Sequence, residues 1–143
     1  MSDQPRTGPL DQATLTVFAQ RVRSHPLVAE CSFEPDSLSP RYLTCTIDDA
    51  QYPDAVTAAR LDIRWFDGGD YSFHYVEHRE NTRWHCRWDR HPKPETPRSH
   101  FHPPPDADST PELSPIEAEY HLGVLFAVLD FIGQRVETLH ETA

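Results

Sequence analysis

At 143 residues the chain is one domain's worth, long enough to bury a core without staples. Acids outnumber bases twenty-three to thirteen, for a net charge of −10, which ordinarily argues against nucleic-acid binding. The bases are twelve arginines and one lysine, Lys93. Acid enrichment with lysine depletion is the composition of a halophilic-like protein, whose self-repulsion is screened by salt, and in that setting the objection loses force.

Cys31, Cys45 and Cys86 each fall at an apolar position of an expected strand, and no Cys-x-x-Cys spacing is present. That argues for reduced core thiols rather than a secreted disulfide framework or a zinc site. The longest apolar run, Leu122 to Leu129, falls well short of the ~20 residues a membrane span requires, and no basic head precedes an apolar run near the start. The expectation is a cytoplasmic protein with no membrane contact.

Residues 1–9 carry no periodicity and read as a flexible arm, leaving 10–143 as a single α+β domain. Leu15, Phe18, Ala19 and Val22 form one stripe of a helix expected from Asp11, as N-cap, to Ser24 before Pro26. Two alternating runs follow, Leu27 to Glu34 and Tyr42 to Ile47, joined by turn residues Pro35 to Pro40; they read as a hairpin. Residues Asp48 to Thr57 are polar, contain Pro53, and read as a loop.

The stretch from Ala58 to His102 is the expected centre of an antiparallel sheet of about five strands, with both helices on one face. Leu61, Ile63 and Trp65 alternate with Asp62 and Arg64, and Tyr71, Phe73 and Tyr75 alternate with Ser72, His74 and Val76. A two- or four-residue loop between these runs would set Trp65 beside Ser72. An odd-length loop or a bulge, with Gly68 or Gly69 at positive φ, is therefore expected. With Arg79 to Thr82 as the next loop, Phe73 pairs with Trp88, Tyr75 with Cys86 and Glu77 with Trp84 on the core face. On the opposite face His74 pairs with Arg87, Val76 with His85 and Ser72 with Asp89.

Seven of the fourteen prolines lie in 91–113, which reads as a stiff extended loop carrying His100 and His102. Ser114-Pro115-Ile116-Glu117 has the pattern of a capping box with proline at the first helical position, so the long second helix is expected from Pro115 to about His140. Its middle, Leu122 to Ile132, is apolar nearly all round. Either it lies between the sheet and the first helix, or its outer side meets a partner.

The Ala58 to His102 stretch also polarises the charge. It holds eight basic and seven acidic residues, net +1, leaving −11 for the rest, and six of nine histidines: His74, His78, His85, His91, His100 and His102. The candidate site is His74, His85, Arg87, Asp89 and Arg64 on the polar face, with the pair His100 and His102. Residues two apart in an extended segment point the same way, so both imidazoles of the pair project from one side. Imidazoles can ligate a divalent metal, here through His100 and His102, or exchange protons near neutral pH, while arginine holds an anionic oxygen. These are ingredients of histidine-based or metal-assisted phosphodiester cleavage. Exposed His and Arg on a solvated face, with Arg-Asp cross-strand pairs, are equally the bland composition of a non-catalytic module that docks a partner through the second helix.

The run Leu61-Asp62-Ile63-Arg64-Trp65-Phe66-Asp67-Gly68, then Tyr71 to His78, then Arg83 to Pro92 with Arg87-Trp88-Asp89 at its centre, and finally Ser99-His100-Phe101-His102 before a terminal helix, resembles the TumE-like family of toxin–antitoxin toxins. That family has an Arg-Trp-Asp or Arg-Tyr-Asp motif closing a strand, then proline or histidine, then a paired His-x-His; Arg90 stands where it tends to have asparagine. The resemblance implies a toxin with an antitoxin partner. Action on RNA as a ribonuclease is the expectation drawn from the residues themselves.

Overall fold

The computed structural model describes residues 8–90, 99–107 and 110–142. Most of the expected N-terminal arm, together with His91, Pro92, Pro94 and Pro97, lies outside the described residues. Helix α1 (Gln12–Val22) is capped by Asp11, whose Oδ1 accepts from the Thr14 N–H at 3.0 Å, and it buries Leu15, Phe18 and Val22 along one side. It stops two residues before Ser24, where the His25 N–H turns back to the Val22 carbonyl at 2.9 Å.

Seven antiparallel strands then run as a meander, each paired with the next: β1 (Val28–Glu34), β2 (Tyr42–Ile47), β3 (Ala58–Trp65), β4 (Tyr71–His78), β5 (Arg83–Arg90), β6 (Ser99–His102) and β7 (Glu112–Leu113). Helix α2 (His121–Thr142) closes the chain. Both helices pack on one sheet face, where Leu43, Leu61, Ile63, Phe73, Cys86 and Trp88 meet Phe18 of α1 and Leu125 and Leu129 of α2 in a single core. The fold is α+β, as the alternation and helical stripes require.

The β3–β4 loop is five residues long, so Trp65 pairs with Tyr71 and both rings stack in the core at 5.0 Å. Gly69 takes φ +94°, and its N–H bonds the Phe66 carbonyl at 2.8 Å. The odd loop that side-chain parity demands is thus present. In the β4–β5 hairpin the expected pairs all occur, from Ser72 with Asp89 to Glu77 with Trp84.

Three expectations need correction. Residues 91–113 are not all loop: Ser99–His102, free of proline between Pro97 and Pro103, pairs with β5 on one side and β7 on the other, giving seven strands rather than about five. Helix α2 begins at His121, not Pro115. The Ser114 N–H still bonds the Ser99 carbonyl at 3.3 Å, and the Ser114 hydroxyl accepts from the Ile116 N–H at 3.2 Å. Ser114 is therefore the last rung of the sheet, where the following proline favours extended backbone over helix. The expected polar loop Asp48 to Thr57 contains a short 3-10 turn, Asp49–Gln51, and buries Tyr52 and Val56.

The apolar girth of α2 is used internally. Phe131 packs edge-on against Trp88 at 5.0 Å and near Phe101 at 6.2 Å, and Arg21 of α1 lies over Phe126 at 5.9 Å. Its exposed residues are Asp130, Gln134, Glu137 and Thr138, and His140 to Thr142 at its end. Glu77, fully buried on the core face of β4, anchors the helix: Arg135 Nε and Nη2 donate to its two oxygens at 2.8 and 2.9 Å, and the Tyr75 hydroxyl donates at 2.7 Å.

Candidate functional site

On the face away from the helices, register brings five residues into one row across neighbouring strands. Thr44 is opposite Asp62, Asp62 opposite His74, His74 opposite Arg87, and Arg87 opposite His102. The short strand between the prolines thus carries His102 back onto the sheet. Flanking rows place His85 opposite Val76, and His100 opposite Asp89.

Two imidazole groupings result, with Arg87 between them. In the first, His74 Nε2 lies 2.9 Å from His85 Nδ1, so one ring donates and the other accepts. Burial, the neighbouring His85 ring and Arg87 hold the His74 pKa down from 6.5 to about 4, against the pull of Asp62, and the ring is neutral at pH 7. In the second, His102 Nε2 lies 3.0 Å from Asp89 Oδ2, which also accepts from Arg87 Nε at 2.8 Å. The carboxylate fixes the proton on His102 Nε2 and leaves the lone pair on Nδ1. Burial and the adjacent Arg87 guanidinium, 3.4 Å from the same Nε2, lower the His102 pKa, with Asp89 opposing them. Asp89 Oδ1 is buried with no hydrogen-bond partner among the described residues.

The sequence named His74, His85, Arg87, Asp89 and His102; the structure joins them as two contact groups, His74 with His85 and Arg87 with Asp89 and His102, set side by side by the His74–Arg87 register. His100 is half-buried in the adjoining row, opposite Asp89 on one side and Leu113 on the other. Arg64 lies apart, over the Tyr42 ring at 4.6 Å. Among the described residues no three His, Cys, Asp or Glu side chains are placed to hold a metal ion. His102 Nε2, one of the nitrogens that a metal site would need, is turned to Asp89.

Sequence reasoning missed Asp62 as a site member. It is buried opposite His74, accepts from the Thr44 hydroxyl at 2.7 Å, and pairs with Arg60 Nε at 3.0 Å. The signal was present: an acid between Leu61 and Ile63 sits at the polar parity of its strand, one strand from His74. Arg60 in turn reaches His78, its Nη1 lying 2.7 Å from the ring Nε2.

The fold and this face define an α+β protein whose helix-free sheet surface carries paired imidazoles around an arginine. A family model described as Toxin TumE matches residues 18–136, and the chain belongs to that family. It is thus a toxin component of the toxin–antitoxin type, and the family implies an antitoxin as its partner. Comparison with curated proteins and with solved structures found no match. No helix among the described residues is long and apolar enough to cross a membrane.

Proposed function

We propose that this toxin cleaves RNA by histidine acid–base chemistry at the row His74, Arg87 and His102. The observation that carries the reading is the placement of an arginine directly between two imidazoles on three adjacent strands. Neighbouring strands lie about 4.8 Å apart, which sets the two histidine backbones about 10 Å apart with the Arg87 backbone between them, its guanidinium turned toward Asp89 and His102. That spacing suits one phosphodiester held by Arg87 and flanked by two proton carriers.

Neutral His74 takes the proton of the ribose 2′-hydroxyl as that oxygen attacks phosphorus. His102, protonated, gives its proton to the departing 5′-oxygen, leaving a 2′,3′-cyclic phosphate and a free 5′-hydroxyl. A bound phosphodiester places negative charge beside His102, which favours its protonated form and offsets the push from Arg87. Asp89 orients His102, and His85 orients His74. His100 lines the substrate side of the same strand.

The test is cleavage of a single-stranded RNA by the purified chain, alongside the same oligomer with 2′-deoxyribose. His102→Ala and His74→Ala are each expected to lose about 100-fold or more in kcat while remaining folded, with the melting temperature lowered by no more than several degrees, and the deoxy oligomer is expected to resist. Cleavage of the deoxy oligomer at a comparable rate, or either alanine variant within threefold of the parent, rejects the mechanism. In cells, His102→Ala is expected to abolish growth inhibition.

A further inference from the structure

Cys31 and Cys45 stand directly opposite each other on β1 and β2, with their sulfurs 2.9 Å apart. Opposed residues of an antiparallel pair have Cα atoms about 4.5–5.5 Å apart, inside the window a disulfide needs. The two thiols differ in their surroundings. Cys45 is fully buried, whereas Cys31 is partly exposed in the wall of a cleft of about 280 Å³ between α1 and β1, whose lining includes Arg23 and Glu30. The hydrogen bond with the Cys45 thiol lowers the Cys31 pKa, burial opposes it, and Arg23 lowers it further, while the same contact and burial raise Cys45. Cys86 lies in the core on β5, pushed up to about 12 by burial, and is shielded from both.

We propose that Cys31 and Cys45 are a peroxide-reactive dithiol site, with Cys31 as the attacking thiol and Cys45 as the resolving one. The Cys31 thiolate attacks one oxygen of hydrogen peroxide, the O–O bond breaks, and the product is a Cys31 sulfenic acid with hydroxide, which takes up the proton lost from the thiol to become water. The Cys45 sulfur then attacks the sulfenic sulfur, the S–O bond breaks, and the hydroxyl leaves with the Cys45 proton as a second water. Two thiols are oxidised by two electrons and one peroxide is reduced. A thiol reductant such as glutathione reverses the product by exchange. The cleft admits a small oxidant to Cys31, and the opposed register supplies the second sulfur without backbone movement. The site is on the helix-covered side of the sheet edge and is independent of the histidine row.

The full-length protein, reduced and then exposed to a slight excess of hydrogen peroxide, is expected to lose about 2 Da of intact mass while remaining monomeric on a non-reducing gel. Peptide mapping is expected to join Cys31 to Cys45 and to leave Cys86 as a thiol. Closing a loop of this length is expected to raise the melting temperature by roughly 10 °C, reversed by reductant. In Cys45→Ser, peroxide is expected to leave a dimedone-reactive sulfenic acid on Cys31. The wild-type mass measurement requires no variant. No loss of mass, oxidation of Cys86 at a rate similar to Cys31, or a disulfide between two chains each overturns the proposal.

Discussion

Replacing His74 by asparagine isolates the electrostatic state of the site. In the native protein burial, His85 and Arg87 keep the His74 pKa near 4, against an ordinary value of 6.5. Between pH 6.5 and 4 the unfolded chain therefore binds a proton at this position that the folded chain refuses. The contribution is fully present above pH 6.5 and is lost as pH falls through that window. The full linkage for such a shift is about 3.4 kcal/mol at 1.36 kcal/mol per unit. His74 retains some solvent contact, and screening reduces this to about 1–2 kcal/mol. Asparagine keeps a hydrogen-bonding group toward His85 but cannot titrate. Urea unfolding at pH 7 and pH 4.5 measures the difference. His74→Asn is expected to lose about 1–2 kcal/mol less than the parent between the two pH values, or roughly 0.5–1 M less in midpoint. Parallel losses in parent and variant, within about 0.5 kcal/mol, refute the assignment of His74 as a half-buried, neutral base.

Two further substitutions test the scaffold beneath the site. Arg135→Met strips the charged donor from a fully buried Glu77 and is expected to cost about 3–5 kcal/mol in urea unfolding, whereas Arg135→Met combined with Glu77→Gln is expected to recover at least half of that loss. A double variant as unstable as the single one shows that lost packing of Arg135 on Trp84, 3.6 Å from ring centroid to guanidinium carbon, matters more than the charge. At Gly123 of α2 an added Cβ would meet Ala118 Cβ and the Tyr120 ring, both at 2.8 Å. Gly123→Ala is therefore expected to lower the melting temperature, the clash of about 1–3 kcal/mol exceeding the ~1 kcal/mol gain in helix propensity; a higher melting temperature rejects this.

Much of this arrangement was legible because β-structure has period two. Once Trp65, Tyr71 and Phe73 are assigned to one face, parity alone demands an odd loop and puts His74, His85, Arg87 and Asp89 together on the other. The N-terminal helix was equally readable, since its cap and stripe are local. What failed to show was pairing whose cause lies elsewhere in the chain. Ser114 to Glu117 is a sound helix start in isolation, but the strand Glu112–Leu113 runs straight into it and the Ser114 N–H bonds Ser99, so the helix begins only at His121. Proline density over 91–113 concealed β6 because four proline-free residues are enough for a strand when a partner edge already exists. Asp62 was passed over because its role depends on facing His74 across a strand boundary. The sulfur contact between Cys31 and Cys45 depends likewise on the register of a hairpin whose loop has no two-residue turn signature, so the spacing of the cysteines gave no hint of it.

If the histidine row cleaves RNA as proposed, the charge distribution makes the approach of the substrate depend on salt. Asp62 in the row and Asp89 beside it are each bonded to an arginine, Asp62 to Arg60 and Asp89 to Arg87, so neither leaves an uncompensated negative charge at the site. The chain as a whole nevertheless carries −10. At 0.01 M salt the screening length is about 30 Å, comparable to the molecule itself, and an approaching phosphate backbone is repelled by acids on every side. At 0.15 M it shrinks to about 8 Å, and the phosphate is governed by Arg87 and its neighbours. Counterion release works the other way, but each phosphate contact to a single strand contributes a slope of only about −0.7, and one or two arginine contacts make that term shallow. Repulsion wins at low salt and release at high salt. The kcat/KM for RNA cleavage is therefore expected to rise with added salt from about 0.01 M before it declines, the reverse of the steady fall shown by a basic ribonuclease. A monotonic decrease from the lowest salt means that RNA docks on a wider basic surface than the row described, and that Arg87 is not the principal phosphate contact.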